Sequence, residues 1–231
     1  MSTGARKTQP LSPLLQKGTA TLTLLAGKSP LGLQFSLNPG QPYRLGRGDV
    51  EISLGEDDEL SPVHAAFEYR GTTLIVMDQG SANGVYVRVR EPRAIGNGDW
   101  IRVGSQYFRF EDVKGDDRFA TADGTLFYTS PKRRGSFRLL QVFRDGFAGL
   151  SSTSSNDEIT IGGEGASIGF SADPFLSTTH ARVVRAPDGQ CFIHDLGSTN
   201  GTWLRVRGEV SLADGDELMA GNELFRVSVA R

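Results

Sequence analysis

The stretch Asp195-Leu196-Gly197-Ser198-Thr199-Asn200-Gly201-Thr202-Trp203 decides the fold of this chain, together with a similar earlier stretch, Asp78-Gln79-Gly80-Ser81-Ala82-Asn83-Gly84-Val85. Ser, Thr and Asn side chains hydrogen-bond to nearby backbone, and Asn-Gly supplies the positive-φ turn that joins two antiparallel strands. Each stretch follows a Ser-x-x-His motif, which begins at Ser177 in one case and at Ser61 in the other. The pattern indicates two copies of one β domain with long polar loops.

The spacing of matching residues shows that this duplication extends over most of the chain. Ser61 and Ser177 are 116 positions apart, whereas Asn83 and Asn200 are 117 apart. One residue is therefore inserted between these two groups, most simply at the hairpin around 188–189. The units of a solenoid recur every ~20–50 residues, so a repeat this long indicates a duplicated domain.

The repeat and the composition together predict four segments. We expect a flexible tail at 1–18, a first domain at 19–112, a linker at 113–135 and a second domain at 136–231. The tail carries Thr3 and Thr8 as candidate phosphorylation sites whose phosphorylated form could fold back onto the first domain. The linker contains the basic triplet Lys132-Arg133-Arg134, which is typical of a solvated segment or of a weak phosphate contact.

The apolar residues predict an all-β fold. Leu22 and Leu24 alternate with threonines, which is the period-two pattern of a half-buried strand. Residues 66–69 and 73–77 read as the two arms of a hairpin, and the chain has 29 glycines and 10 prolines to form turns. Many short strands separated by turns favour antiparallel β-sandwiches or barrels.

The overall composition argues against several classes of protein. A net charge of −2 gives no general attraction to nucleic acid or to an anionic membrane. Cys191 is the only cysteine, so neither an internal disulfide nor a cysteine-based zinc site can form. No apolar run approaches the ~20 residues of a membrane span. We therefore expect a cytoplasmic protein that binds no metal, cofactor, nucleic acid or membrane.

The motifs resemble those of the forkhead-associated (FHA) domain, a β-sandwich that recognises phosphothreonine peptides. The family pattern is Gly-Arg at a strand end, then Ser-x-x-His, then Ser-Thr-Asn-Gly in a later loop. The resemblance covers about 19–112 and 136–230. The first copy matches with Gly46, Arg47, Ser61, His64, Ser81, Asn83 and Gly84, and the second with Ser177, His180 and the run from Gly197 to Gly201.

The resemblance implies a role for each matching residue. Arg47 would pair with the phosphate, Ser61 would donate its hydroxyl hydrogen, and Asn83 would hold the peptide backbone. This fits the chemistry of phosphate, whose charge and acceptor oxygens are best met by a planar fork of donors with hydroxyl and amide donors around it. The remaining matches would shape the loops: Gly46, His64, Gly84, His180 and Gly201.

Two departures from the family pattern distinguish the copies. Ala82 stands where the family has threonine, which removes one hydroxyl donor from the first copy. Gly163 stands where the family has arginine, and Glu164 follows it, so the second copy loses a cation and gains an anion. The second copy keeps Ser177, Thr199 and Asn200, and Arg182 is a candidate substitute cation. We predict that the first domain is the phosphothreonine reader and that the second site is degenerate.

Two other classes of function, catalysis and scaffolding without phosphate, compete with this interpretation. Catalysis is disfavoured because the three histidines are His64, His180 and His194, two of which the repeat explains. A scaffold that binds partners independently of phosphate remains an alternative. We predict an adaptor in Ser/Thr kinase signalling, with threonine-phosphorylated proteins and an upstream kinase as partners.

Overall fold

The computed structural model describes residues 19–113, 121–126, 128, 137–144, 146–154 and 156–230. The predicted tail at 1–18, with Thr3 and Thr8, lies outside the described residues. The same holds for most of the predicted linker, including the basic triplet at 132–134. The described residues contain strands and turns but no helix, and hence no helix able to cross a membrane.

Twenty strands make up the described fold. The first six are β1 (Ala20–Ala26), β2 (Gln34–Leu37), β3 (Tyr43–Gly46), β4 (Ile52–Ser53), β5 (Ala65–Arg70) and β6 (Thr73–Asp78). The next eleven are β7 (Val85–Arg88), β8 (Arg93–Ile95), β9 (Trp100–Val103), β10 (Gln106–Asp112), β11 (Phe137–Val142), β12 (Ala148–Thr153), β13 (Glu158–Gly162), β14 (Ile168–Gly169), β15 (Thr179–Arg185), β16 (Cys191–Asp195) and β17 (Thr202–Arg205). The last three are β18 (Glu209–Leu212), β19 (Glu217–Ala220) and β20 (Glu223–Val229).

These strands form two compact units that each combine strands from both copies of the repeat. Unit 1 contains the described residues up to Asn83 together with those from Glu209 onward, and unit 2 contains Gly84–Gly208. The compact units therefore do not coincide with the predicted domains at 19–112 and 136–231. The strands that close each sandwich have a matching counterpart 117 positions away, and the sequence pattern alone does not say which counterpart is used.

Unit 1 is a sandwich of two sheets. One sheet has the order β2-β1-β20-β19, and the other has the order β18-β6-β5-β3-β4. Strand β1 pairs antiparallel with β20, with Leu22 opposite Val227 and Leu24 opposite Phe225. These side chains are buried between the sheets, as the alternation of apolar and polar residues requires.

Unit 2 repeats this architecture with the complementary set of strands. Its sheets have the orders β12-β11-β10-β9-β17-β7 and β14-β13-β15-β16-β8. Strand β10 pairs antiparallel with β11, which places Phe110 opposite Leu139. The core between the sheets includes Phe108, Phe110 and Phe137, all fully buried or nearly so.

Polar contacts within each unit join residues from the two copies. In unit 1, the buried Glu223 Oε1 accepts hydrogen bonds from the backbone N–H and hydroxyl of Ser29, at 3.0 and 2.8 Å. A Cβ at Gly27 would lie 1.8 Å from Glu223 Oε2, so only glycine fits there. In unit 2, Asp173 accepts hydrogen bonds from Ser105 N–H and Gln106 Nε2, each at 2.9 Å. These contacts join the first copy to the second within each unit.

The structure confirms the all-β fold and the antiparallel β-sandwich. The predicted alternating strand at Leu22 and Leu24 is β1, and the predicted hairpin is β5 and β6.

The one residue by which the second copy is longer lies in the β15–β16 hairpin, where the sequence predicts it. The β5–β6 hairpin closes with Arg70 opposite Thr73. In the β15–β16 hairpin the closing hydrogen bond runs from Ala186 N–H to Gln190 O, so this turn is one residue longer.

Short parallel pairs, β3 with β4 and β13 with β14, are the departures from antiparallel order among the described pairings.

Candidate functional site

The end of strand β3 places Arg47 at the surface of unit 1. Gly46 packs so closely on the next loop that a Cβ there would lie 2.3 Å from Pro62 O. The Arg47 N–H donates to Ser61 O at 3.1 Å, which fixes its backbone beside that loop. The Arg47 side chain is exposed and has no hydrogen bond or ion pair within the described residues. Its guanidinium is therefore available to an external anion.

Ser61 is held in position by a buried histidine. The His64 Nδ1 accepts a hydrogen bond from Ser61 N–H at 3.0 Å, and the His64 side chain is fully buried. The Ser61 Oγ accepts a hydrogen bond from Ala82 N–H at 3.1 Å, which joins two loops. Because the hydroxyl acts there as an acceptor, its hydrogen can still be donated to a ligand.

Asn83 completes the group on the loop after β6. Its Nδ2 donates to Glu59 O at 2.8 Å, which sets the orientation of the amide. The amide is exposed, and its second N–H and its oxygen remain available for pairing with a peptide backbone. The structure thus brings Arg47, Ser61 and Asn83 onto three adjoining loops at one edge of unit 1.

Unit 2 reproduces this loop arrangement with the residues of the second copy. Ser177 N–H donates to His180 Nδ1 at 3.0 Å, and Thr199 N–H donates to Ser177 Oγ at 3.2 Å. Asn200 Nδ2 donates to Phe175 O at 2.9 Å. The buried His180 also contacts Gly201 O through Nε2 at 3.0 Å, so the neutral ring accepts at Nδ1 and donates at Nε2.

The cation is missing from the loops of unit 2. Gly163 N–H donates to Thr178 O at 2.9 Å and to Ser177 O at 3.2 Å, so its backbone follows the course of Arg47 without a side chain. The neighbouring Glu164 is exposed. Arg182 lies within β15, opposite Thr160 and His194, and its Nε is buried with no hydrogen-bond partner. The register places Arg182 in the sheet, two residues beyond His180 and outside the loops.

An aspartate shapes each Asn-Gly loop, and sequence reasoning gave it no role. Asp195 accepts hydrogen bonds from Ser198 Oγ at 2.6 Å and from Thr202 Oγ1 at 2.7 Å. In unit 1, Asp78 accepts a hydrogen bond from Ser81 N–H at 2.8 Å. Partial burial raises the pKa of Asp195, but the hydrogen bonds from Ser198 and Thr202 outweigh it and leave the pKa below its ordinary value. The available signal was an aspartate three residues before the loop serine in both copies.

Arg44 in β3 forms an ion pair with Glu51 that has no counterpart in unit 2. The Arg44 guanidinium donates to both Glu51 oxygens at 2.9 and 3.0 Å. This hydrogen bonding lowers the pKa of the exposed Glu51 to about 2. The corresponding positions in unit 2 are Thr160 and Ser167, whose hydroxyl oxygens lie 3.0 Å apart. The negative charge of Glu51 is thus balanced by Arg44, and Glu51 forms no ion pair with Arg47.

The described residues also bear on metal binding. Within the described ranges, no three histidine, cysteine or carboxylate side chains lie close enough together to hold a metal ion.

Comparison with known families gives a match over more than half of the chain. The sequence model of the FHA domain family matches residues 43–104 and 154–221. The two matched segments lie within the predicted ranges 19–112 and 136–231. Comparison with curated proteins gives no match.

Similar solved structures come from FHA proteins. The structure described as "Crystal structure of the FHA domain of CT664 protein from Chlamydia trachomatis" is 13% identical, with a TM-score of 0.39, covering 92% of this chain and 99% of that chain. A structure described as "Structural and functional analysis of phosphothreonine-dependent FHA domain interactions" is 14% identical, with a TM-score of 0.37, covering 92% and 98%. EmbR from Mycobacterium tuberculosis, in complex with a low-affinity phosphopeptide, is 22% identical, with a TM-score of 0.21, covering 38% and 27%.

Proposed function

This chain belongs to the FHA domain family, and on that premise we propose that unit 1 binds a phosphothreonine-containing segment of a partner protein. One observation carries the proposal. The exposed Arg47 guanidinium has no protein partner within the described residues and lies on a loop joined to those of Ser61 and Asn83. Two of the similar structures are described as concerning phosphothreonine-dependent FHA interactions and a phosphopeptide complex.

The chemistry of the three side chains supports a phosphate ligand. A phosphate monoester near pH 7 carries ≈ −1.5 to −2 charge and three strong acceptor oxygens. Arg47 offers a planar fork of donors, and Ser61 offers a hydroxyl hydrogen beside it. Asn83 offers one donor and one acceptor, which is what pairing with a peptide backbone requires. The site contains donors for the phosphate and a separate amide for the peptide.

For the loops of unit 2 we propose binding that does not depend on phosphate. Gly163 supplies no cation, Glu164 would repel a dianion, and Arg182 lies in the sheet. The loops retain their hydrogen bonds without the cation, so the unit keeps its shape. The whole chain would then act as an adaptor downstream of a Ser/Thr kinase in the cytoplasm, with a phosphate-dependent contact through the loops of unit 1 and a phosphate-independent contact through the loops of unit 2.

The test is calorimetric titration of a degenerate phosphothreonine peptide library into the full chain. We expect Arg47→Ala to weaken binding by about 100-fold, because a bidentate, charge-assisted contact is lost. Arg70→Ala is the matched control, since Arg70 is an exposed arginine of unit 1 that pairs with Glu68 and Glu209. Binding that is equal for the unphosphorylated library, or unchanged in Arg47→Ala, would contradict the proposal.

A further inference from the structure

A cleft of about 550 Å³ in unit 2 is lined by none of the loop residues described above. It is formed by strands β10 and β11 and by the turn before β9. Among the residues that line it are Asn97, Gly98, Arg109, Glu111 and Arg138. Its volume falls within the range of pockets that hold small ligands.

Two arginines share one carboxylate in this cleft. Arg109 donates from Nε and Nη2 to Glu111 Oε1, at 3.0 and 2.6 Å. Arg138 donates from Nε to Glu111 Oε2 at 2.5 Å. The arginine side chains are 43% and 44% exposed, whereas that of Glu111 is 18% exposed. The carboxylate is therefore turned inward and engaged at both oxygens, while most of the five N–H donors of each guanidinium remain for a ligand.

The cleft has a surplus of positive charge. Glu111 compensates one of the two arginines. The other lining carboxylate, Asp112, accepts a hydrogen bond from Arg185 Nη2 at 2.9 Å, and both of those side chains are at most 14% exposed. One positive charge of the Arg109 and Arg138 pair is thus left over at the exposed side of the cleft.

Asn97 adds a neutral donor at the same place. Its Oδ1 accepts the Asp112 N–H at 3.1 Å, which directs the acceptor end of the amide into the protein. Its Nδ2 has no hydrogen bond within the described residues. The arginines and Asn97 therefore offer donors, while both Glu111 oxygens, Asp112 Oδ1 and Asn97 Oδ1 already accept hydrogen bonds.

Unit 1 shows that the fold does not require this cluster. The residue of unit 1 that is equivalent to Asn97 is Asp214, 117 positions later in the chain. The Asp214 Oδ1 accepts a hydrogen bond from Val229 N–H at 3.0 Å. The structural task at this position is therefore only to supply an acceptor. Thr21 and Ser228 stand where unit 2 has Arg138 and Glu111. Unit 2 thus has an amide in place of a carboxylate at Asn97, and an arginine with a glutamate in place of Thr21 and Ser228, at positions where unit 1 folds without them.

We propose that this cleft is a second anion site, which binds a phosphate monoester through Arg109, Arg138 and Asn97. A lining rich in free donors and poor in free acceptors suits a ligand with several acceptor oxygens and negative charge. Free phosphate and a phosphorylated side chain of a partner share this chemistry. The site is independent of Arg47 and of the loops of unit 1.

The test uses the full chain with Arg47→Ala, so that the loops of unit 1 do not contribute. Inorganic phosphate is titrated at constant ionic strength while the Gly98 amide and the arginine Nε–H signals are followed by NMR. We expect saturable shifts of these signals. Asn97→Asp should weaken binding by about tenfold or more, because it restores a carboxylate while keeping the acceptor for Asp112 N–H. Arg226→Gln, at the position in unit 1 that corresponds to Arg109, should have no effect.

Further arms separate the two sources of phosphate and guard against misfolding. A phosphoserine peptide that binds more tightly than inorganic phosphate points to a phosphorylated partner, and the reverse order points to a free phosphate compound. Arg138→Thr carries the residue of unit 1 into unit 2 and serves as a second variant if Asn97→Asp does not fold. Shifts that do not saturate with either ligand overturn the proposal, as do shifts that neither Asn97→Asp nor Arg138→Thr changes relative to the chain carrying Arg47→Ala alone.

Discussion

The loops of unit 1 and unit 2 share their hydrogen-bond pattern and differ in one cation. The serine N–H lies 3.0 Å from a histidine Nδ1 in both units. The asparagine amide lies 2.8 Å from a carbonyl oxygen in one and 2.9 Å in the other. Yet unit 1 has Arg47 at the position where unit 2 has Gly163. The shape of the loops is held by backbone contacts and a buried histidine, so it survives the loss of the charge.

The two units also differ in how the copies of the repeat are combined. Unit 1 joins β1–β6 of the first copy to β18–β20 of the second, and unit 2 contains β7–β17. Most equivalent strands stand in equivalent places, β7 and β17 in unit 2 being the exception, and each sandwich contains strands of both copies. Similar sequences can thus complete the same fold in two ways, and the structure adopts one of them.

The largest effect is expected from cysteine pairs that report which strands are partners. Thr23 lies opposite Arg226 in unit 1, at a distance typical of antiparallel neighbours and compatible with a disulfide. Thr23→Cys with Arg226→Cys should therefore cross-link on oxidation, as seen by mass spectrometry. Thr23→Cys with Arg109→Cys should not, because Arg109 is the equivalent residue of the other copy. Cross-linking of only the second pair would show that β1 pairs with β10 instead.

The next effect concerns the missing cation of unit 2. In a chain that carries Arg47→Ala, Gly163→Arg should raise phosphothreonine peptide affinity by about tenfold, since Glu164 partly opposes the new charge. A Cβ at Gly163 would lie 3.3 Å from Thr178 Cα, so the loop must adjust slightly. Gly163→Ala controls for that adjustment. Calorimetry that gives the same affinity for the arginine and alanine variants would show that unit 2 lacks more than a cation.

A smaller effect is expected at the aspartate that shapes the loop of unit 2. Asp195→Asn should lower the free energy of unfolding by about 1 kcal/mol at pH 7, because hydrogen bonds to a half-buried carboxylate are weakened. The pKa of Asp195 is lowered in the folded protein, so its contribution is full above the unfolded pKa of about 3.9. It is lost as the pH falls through the lower folded pKa. Urea unfolding should therefore show wild type and variant converging at low pH, and a constant difference would contradict this.

The smallest effect is expected at Ala82, where unit 2 has Thr199. Ala82→Thr should tighten phosphothreonine peptide binding by a few-fold, because an exposed hydroxyl adds one hydrogen bond to a charged group that competes with water. Ala82→Val supplies a side chain of similar shape without the hydroxyl. Equal affinities for the two variants in calorimetry would mean that the position does not contact the phosphate.

The local pattern of the sequence was sufficient for the strands and for the arrangement of the loops. Alternating apolar residues around Leu22 predicted β1, and the polar runs after β6 and β16 predicted turns, because both depend on neighbours within a few residues. The contacts of Asp78 and Asp195 were missed, because the family pattern of this loop, Ser-Thr-Asn-Gly, begins at the serine and does not include the aspartate. The anion cleft was also missed, because Asn97, Arg109 and Arg138 converge only when three separate segments pack together.

The sequence by itself determined that this chain is a duplicated β-sandwich protein and that its two loop sets differ at Arg47 and Gly163. These features are set by residue identity, turn chemistry and the period-two alternation of strands. Only the tertiary structure decided that each sandwich combines strands from both copies. Strands β10 and β20 have the same apolar pattern, so either of them could pair with β1 and extend the buried apolar face of its sheet. The pairing brings together residues far apart in the chain, such as Ser29 and Glu223, which lie 194 positions apart, and local sequence patterns do not report such contacts.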